Sequence, residues 1–446
     1  MMHPGETLQK TGAFIRQSAT FKMMTIAFLV LILLIPASMI SSLMRERQAR
    51  RNQVVAEISS KWGNAQTITG PFLTIPCREV YVDEQHRQHE RIRYLHILPD
   101  LLRVTGKVDT QVRYRSIYEA ILYTARLELS GVFRLPDLDA SEIDPGRILW
   151  DKALFSLGIS DMRGIREPVQ VEWQGKKYTA GPGLKTTDIA LAGLRAPVDM
   201  ARAGGNGDKA IPFSLSVVFN GSDELHWIPM GRETRIKLAS SWPSPSFNGA
   251  FLPEKRTIAG DGFSAFWRVL HLNRNFPQFW LGSRYKTGKS SFGVRFVLPA
   301  DIYQKSIRIS KYAVMFIVFT FAAFFFSEIL NRQRIHPIQY LLVGLAVILF
   351  YVLHLALSEW MGFDRAYLGA AAAITLLVTG YCQGIIRKTR FSLTVAGILT
   401  VLYGYLYIVL QLEDYALLMG SVGLFAVLAT VMFITRKVDW YNLESR

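Results

Sequence analysis

Residues 338–357 read IQYLLVGLAVILFYVLHLAL, twenty positions with no Asp, Glu, Lys or Arg. A helix of this length rises about 30 Å, the thickness of the hydrocarbon core of a bilayer. In that medium every backbone N–H and C=O must be paired within the segment, which a helix achieves. Working outward, similar runs occupy 312–330, 366–386, 391–410 and 416–434, and one lies far upstream at 23–44. The chain has 446 residues, 50% hydrophobic and 19% charged, and the apolar excess is gathered into these six runs. A disordered chain, poor in bulky apolar residues, is excluded, as is a simple soluble enzyme. Two cysteines, Cys77 and Cys382, exclude a disulfide scaffold. The expected fold class is a membrane protein of α + β type. Six transmembrane helices, one N-terminal and five C-terminal, flank a large mainly-β extracytoplasmic domain inserted between helices 1 and 2.

Lysines and arginines in short loops set the orientation. Arg332 and Arg334 follow the second run, Arg387, Lys388 and Arg390 the fourth, and Arg436 and Lys437 the sixth. The alternate loops carry Glu359, Asp364 and Arg365, then Glu413 and Asp414. Basic loops face the cytoplasm, so both termini are expected inside. The organisation is then a cytoplasmic tail (1–22), helix 1 (23–44), a periplasmic domain (45–311), a five-helix bundle (312–434) and a cytoplasmic tail (435–446). Arg45, Arg47, Arg50 and Arg51 after the first run argue locally for the reverse orientation. Long domains translocate largely regardless of charge, however, and the three later loops agree. The first run exceeds the about 7–15 residues of a signal-peptide core and reads as an uncleaved anchor.

The segment 45–311 alternates with period two, the spacing of half-buried strands. Leu127-Glu128-Leu129-Ser130, Phe213-Ser214-Leu215-Ser216-Val217 and Phe292-Gly293-Val294-Arg295-Phe296 are examples, with Gly and Pro between such runs. A sandwich or two stacked sheets is expected. Residues 45–61 favour a helix continuing out of the first run, ended by Gly63. This segment holds 39 Lys and Arg against 27 Asp and Glu, +12 of the chain's +16. Nucleic acid, the usual partner of such charge, does not meet an external domain. The expected partners are the lipid bilayer, anionic lipid headgroups or acidic envelope polymers, or an envelope protein; a solvated basic face is the alternative.

Catalytic patterns are few. Residues 282–290 approach a phosphate-binding loop, but five residues rather than four separate the glycines and a strand is expected to follow. His86, His89 and Glu90 read as a charged loop rather than a metal site. Asp161, Arg163 and Gly164 read as an ion pair in a turn, with an acid–base site as the alternative. No catalytic residue, cofactor or metal is implied, and a non-enzymatic protein is expected. Among ionisable residues of the membrane runs and their flanks, Glu328, His354, Glu359 and Asp364 lie within reach of an interface, where snorkelling satisfies them. No charge sits at a run midpoint, which weighs against a transporter. Gly369, Gly380, Gly384, Gly420 and Gly423 read as close helix contacts.

Residues 328–344, EILNRQRIHPIQYLLVG, continuing to Ser358-Glu359, resemble the signature of the CreD family. Residues 70–76 (GPFLTIP), 158–165 (GISDMRGI) and 242–247 (WPSPSF) with 251–253 (FLP) resemble further family stretches, as do Lys311-Tyr312 and Asp439-Trp440-Tyr441. The resemblance spans nearly the whole chain; a longer tail before Met23 departs from it. It implies an inner-membrane cell-envelope integrity protein of Gram-negative bacteria, expressed under a two-component regulator and influencing envelope stress. It supplies no reaction. It singles out Asp161, Arg163, Gly164, Trp242, Pro243, Pro245, Glu328, His336, Pro337 and Glu359 as motif positions. Pro243 and Pro245 suit turn chemistry, and His336-Pro337 a helix start with Pro first.

Overall fold

The computed structural model describes residues 19–83, 85–137, 143–200, 210–298, 302–331, 335–412 and 415–436. The chain divides into a helical unit, Met1–Arg51 with Ala300–Arg446, and a β unit, Asn52–Pro299.

Among the described residues of the β unit, seventeen strands form two sheets. Their ranges in chain order are β1 Gln66–Val82, β2 Gln88–Ile97, β3 Leu101–Arg115, β4 Tyr118–Phe133, β5 Leu154–Ile159 and β6 Gln170–Trp173. Then come β7 Lys176–Thr179, β8 Gly181–Pro182, β9 Gly193–Pro197, β10 Ile211–Ser222, β11 Glu224–Ile228 and β12 Glu233–Ser240. The last are β13 Pro245–Gly249, β14 Lys255–Ala259, β15 Gly262–Leu270, β16 Phe279–Leu281 and β17 Phe292–Phe296. The nine-stranded sheet runs β13-β17-β11-β1-β5-β9-β8, with β2 pairing β1 and β16. The eight-stranded sheet runs β14-β15-β12-β3-β4-β10-β6-β7. The alternating stretches above fall in β4, β10 and β17. Their buried positions meet between the sheets, where rings from one interleave with rings from the other. Phe155 of β5 lies 6.1 Å from Trp173 of β6, and Phe292 of β17 lies 6.0 Å from Trp267 of β15. The expected two-sheet packing is therefore present. Residues 201–209 lie outside the described residues.

The helical unit contains α1 Ala19–Trp62, whose last turns pass into the β unit's segment, then α2 Ile302–Lys311, α3 Ala313–Asn331 and α4 Pro337–Met361. It ends with α5 Phe363–Ile386, α6 Thr389–Gln411 and α7 Ala416–Thr435. Each expected run lies on a helix, and α1 does continue to Trp62. Gly63, at φ +147°, follows its end. Among the described residues, four helices are long and apolar enough to cross a membrane: α1, α4, α5 and α6. The pair α2–α3, bent by 45°, makes a fifth if it is one span, and the apolar part of α7, Leu418–Phe433, is shorter. Large apolar side chains such as Leu31, Leu376, Val401 and Phe425 point outward, exposed, as lipid-facing side chains do.

The glycine reading is corrected. A Cβ at Gly380, Gly384 or Gly420 would meet open space, and at Gly369 only Leu357 at 4.0 Å. Of the five, Gly423 alone packs closely, against Tyr405. The other tight site is Gly344 of α4, where a Cβ would stand 2.2 Å from Leu33 of α1. Small residues four apart mark a face that can pack closely; they do not oblige a partner to fill it.

The inter-sheet core should be unforgiving. Trp267 is fully buried, and Trp267→Ala is expected to cost about 3–5 kcal/mol, read from chemical denaturation of the full chain in detergent.

Candidate functional site

The motif residues of the β unit act as fasteners at two places. After β5 the chain turns through a single 3₁₀ turn, Met162–Gly164, which Asp161 caps by accepting from the Arg163 N–H at 3.1 Å. The Arg163 guanidinium grips the same carboxylate with both arms, at 2.9 and 2.8 Å, the bidentate geometry that Arg favours. The Asn64 N–H, two residues past α1, donates to Asp161 Oδ2 at 3.0 Å. Gln66 completes the knot: its side-chain NH₂ donates to the Asp161 and Asn220 carbonyls, and its Oε1 accepts from the Asp161 N–H at 3.1 Å. Gly164 is required here, since a Cβ would sit 2.3 Å from the Asn220 carbonyl oxygen. Asp161 is 9% exposed, and its hydrogen bonds to Arg163 hold the carboxyl down at about 2. An acid that stays ionised and is spent on backbone and Arg is suited to bracing. No histidine hydrogen-bonds to it among the described residues.

The second fastener is where the chain leaves the unit. The Trp242 indole donates to the Val297 carbonyl at 3.1 Å, and the Val297 N–H donates to the Ser244 carbonyl at 3.2 Å. Pro243 and Pro245 shape the segment leading into β13, which pairs with β17. Phe247 then packs edge-on against Phe263 and Trp267. One fastener thus holds the chain where it enters the sheets, the other where it leaves.

In the helical unit the motif residues stand at helix ends. Glu328 of α3 is 7% exposed. It pairs with Lys22 of α1 and accepts from the Tyr340 hydroxyl of α4 at 3.0 Å and from the Ile335 N–H at 3.2 Å. It is therefore enclosed and fully partnered rather than snorkelling. His336 caps α4: its Nδ1 accepts from the Ile338 N–H at 3.3 Å, Gln339 reaches back to the His336 N–H, and Pro337 opens the helix. Glu359, near the far end of α4, accepts from the Tyr303 hydroxyl at 3.0 Å and faces Arg47 of α1 at 3.9 Å. His354 is fully buried, among Phe350, Phe363 and Tyr367. Its ring nitrogens make no hydrogen bond of ordinary geometry, although the Phe363 backbone stands near them.

Other features were not legible in sequence. His96, fully buried in β2, pairs with Asp188 at 3.0 Å across 92 residues, and His96 lowers the Asp188 pKa. Arg274, 6% exposed, donates to carbonyl oxygens and to Gln278. Cys77 and Cys382 are free and buried, and burial pushes the Cys77 thiol up, away from reactivity. Residues 282–290 end in a 3₁₀ turn, Thr287–Ser290, running into β17. His89 pairs with Asp83, and no metal-holding cluster occurs among the described residues. The motif stretch Asp439-Trp440-Tyr441 lies outside the described residues, as do Arg332, Arg334, Glu413, Asp414 and Lys437.

Apolar helices before and after one large two-sheet β unit define a multi-pass membrane protein of α + β class. A family model described as inner membrane protein CreD matches residues 18–441. The inner membrane protein CreD of Escherichia coli (strain K12) is 34% identical over 431 residues, covering 94% of this chain and 93% of that protein. The chain belongs to the CreD family.

Two measurements test the fasteners. The Asp161–Arg163 stabilisation is present above the ordinary carboxyl value of 3.8 and lost as pH falls through about 2. Asp161→Asn should cost about 1–2 kcal/mol at pH 6, a gap that narrows toward pH 2 in denaturant titrations. Lys22→Met alone should destabilise the helical unit by about 3 kcal/mol, because it strands a buried carboxylate. The double change Lys22→Met with Glu328→Gln should recover most of that loss in thermal unfolding.

Proposed function

We propose that this chain is an inner-membrane envelope-integrity and stress protein whose β unit faces the periplasm and binds an anionic envelope component or an envelope protein without catalysing a reaction. The α2–α3 pair and α7 would complete six crossings, with both termini cytoplasmic. The observation that carries this reading is the placement of charge. The segment 45–311 holds +12 of the chain's net +16, and surface charge of one sign recruits partners of the other. The geometry of Asp161 and Arg163 agrees, since both are engaged in holding the fold.

A second reading, transport of an envelope metabolite through the helices, draws on buried polarity. His354 lies in the helical core with the Tyr351 and Tyr403 hydroxyls, which have no hydrogen-bond partner among the described residues. If transport is the function, charge-neutralising changes at Glu328, His354 and Glu359 abolish it; intact function in all three weighs against it.

Photoreactive residues placed in turn across the β unit in intact cells should give discrete adducts with an envelope polymer or protein. A blank scan across every face would turn attention to the helices and overturn the binding reading.

A further inference from the structure

Strand alternation turns Arg103 and Lys107 of β3, Arg126 of β4, Arg235 and Lys237 of β12, and Arg268 of β15 away from the core, on one face of the eight-stranded sheet. The register then places like charges directly side by side. Arg103 is opposite Arg235, Arg235 is opposite Arg268, and Lys107 is opposite Arg126. Neighbouring strands are about 4.8 Å apart, and like charges directly opposite one another destabilise a sheet. Three such pairs on one face are a cost that a merely solvated surface has no need to carry.

Two carboxylates offset it in part. Glu233 accepts from Arg235 at 2.9 Å and from Arg268, which lowers its pKa. Asp109 pairs with Arg126 and lies 3.9 Å from Lys107. Arg103, Lys237 and Lys255 of β14 are exposed and have no carboxylate partner among the described residues. Lys255 joins them because it is opposite Phe266 of β15, itself on the outer face. Between the cations lie short polar side chains, Thr105, Ser130 and Ser264, and one further carboxylate, Glu128, opposite Thr105.

We propose that this face is a docking surface for a linear polymer bearing closely spaced phosphate groups, which deepens, and rests on, the reading that the β unit binds an anionic envelope component. A file of three guanidiniums crossing the strands matches anions that recur along a chain better than a single ion. A planar carboxylate is filled by one guanidinium fork, whereas a tetrahedral phosphate presents oxygens to forks on two neighbouring strands.

The test uses the full chain in nanodiscs of zwitterionic phosphatidylcholine, with inorganic polyphosphate as probe. Wild type should bind, more weakly as salt rises. The triple change Arg103→Gln, Lys237→Gln and Lys255→Gln should weaken binding by about tenfold or more and lower the slope of log affinity against log salt by about two to three. These residues leave no carboxylate stranded, so the unfolding midpoint should stay level or rise, reporting an intact fold. The control triple Lys185→Gln, Lys286→Gln and Lys289→Gln removes the same charge from connections of the nine-stranded sheet. It should weaken binding by less than about threefold. Equal losses in both triples would overturn the proposal. So would wild type that ignores polyphosphate while binding phosphatidylglycerol vesicles, or that binds the carboxylate polymer alginate as tightly. Envelope adducts confined to another face in the crosslinking scan would sink this surface yet leave the broader binding reading standing.

Discussion

Two basic residues on one helix organise the helical unit. Lys22 and Arg47 of α1 are separated by 25 residues, about 37 Å of helix rise. That is close to the about 40–45 Å of a bilayer including its headgroup regions. Lys22 meets Glu328 of α3, and Arg47 faces Glu359 of α4. Between the two pairs α1 has no charged residue from Met23 to Met44, since an ion there would be costly to desolvate. Glu328 also accepts from Tyr340 and Ile335, which satisfies its remaining lone pairs. A buried pair without such support would gain little from Coulomb attraction alone. The capping of α4 by His336 and the close approach of Gly344 to Leu33 fit around this frame.

In the β unit the same economy applies to backbone rather than charge. The residues that mark the family there hold main-chain groups where the chain enters and leaves the sheets. Asp161 and Gln66 satisfy donors and acceptors just past α1, and Trp242 does so at Val297. Residues with such duties need not touch a ligand, and the surface that does can lie elsewhere on the sheets.

The parts legible in sequence were those whose physics is local. A helix in an apolar medium needs only a run of apolar residues, and each of the six runs lies on a helix. Half-buried strands alternate, so β4, β10 and β17 were visible. The middle of β1 was less so, because Phe72 packs with one cluster while Ile68, Leu73, Ile75 and Cys77 pack with another. Covered on both faces, it loses the alternation. The knot around Asp161 joins positions up to 154 residues apart, and the His96–Asp188 pair spans 92; neither leaves a short-range signal. The arginine file on β3, β12 and β15 was equally hidden, since it exists only once the register brings those strands together. The enclosure of Glu328 and His354 was not visible, because distance from a run's end says nothing about which neighbours surround the side chain.

The helical unit is built from both ends of the chain, and Lys22 and Glu328 are 306 residues apart. At about 5–20 residues per second of synthesis, roughly 15–60 s separate their appearance. For that interval α1 exists without its carboxylate partner, while the whole β unit is made. A lysine at the margin of the apolar run can wait there, its ammonium still hydrated. The same charge at the middle of the run would face the bilayer alone throughout. The position of Lys22 thus makes the order of biosynthesis tolerable as well as the finished structure.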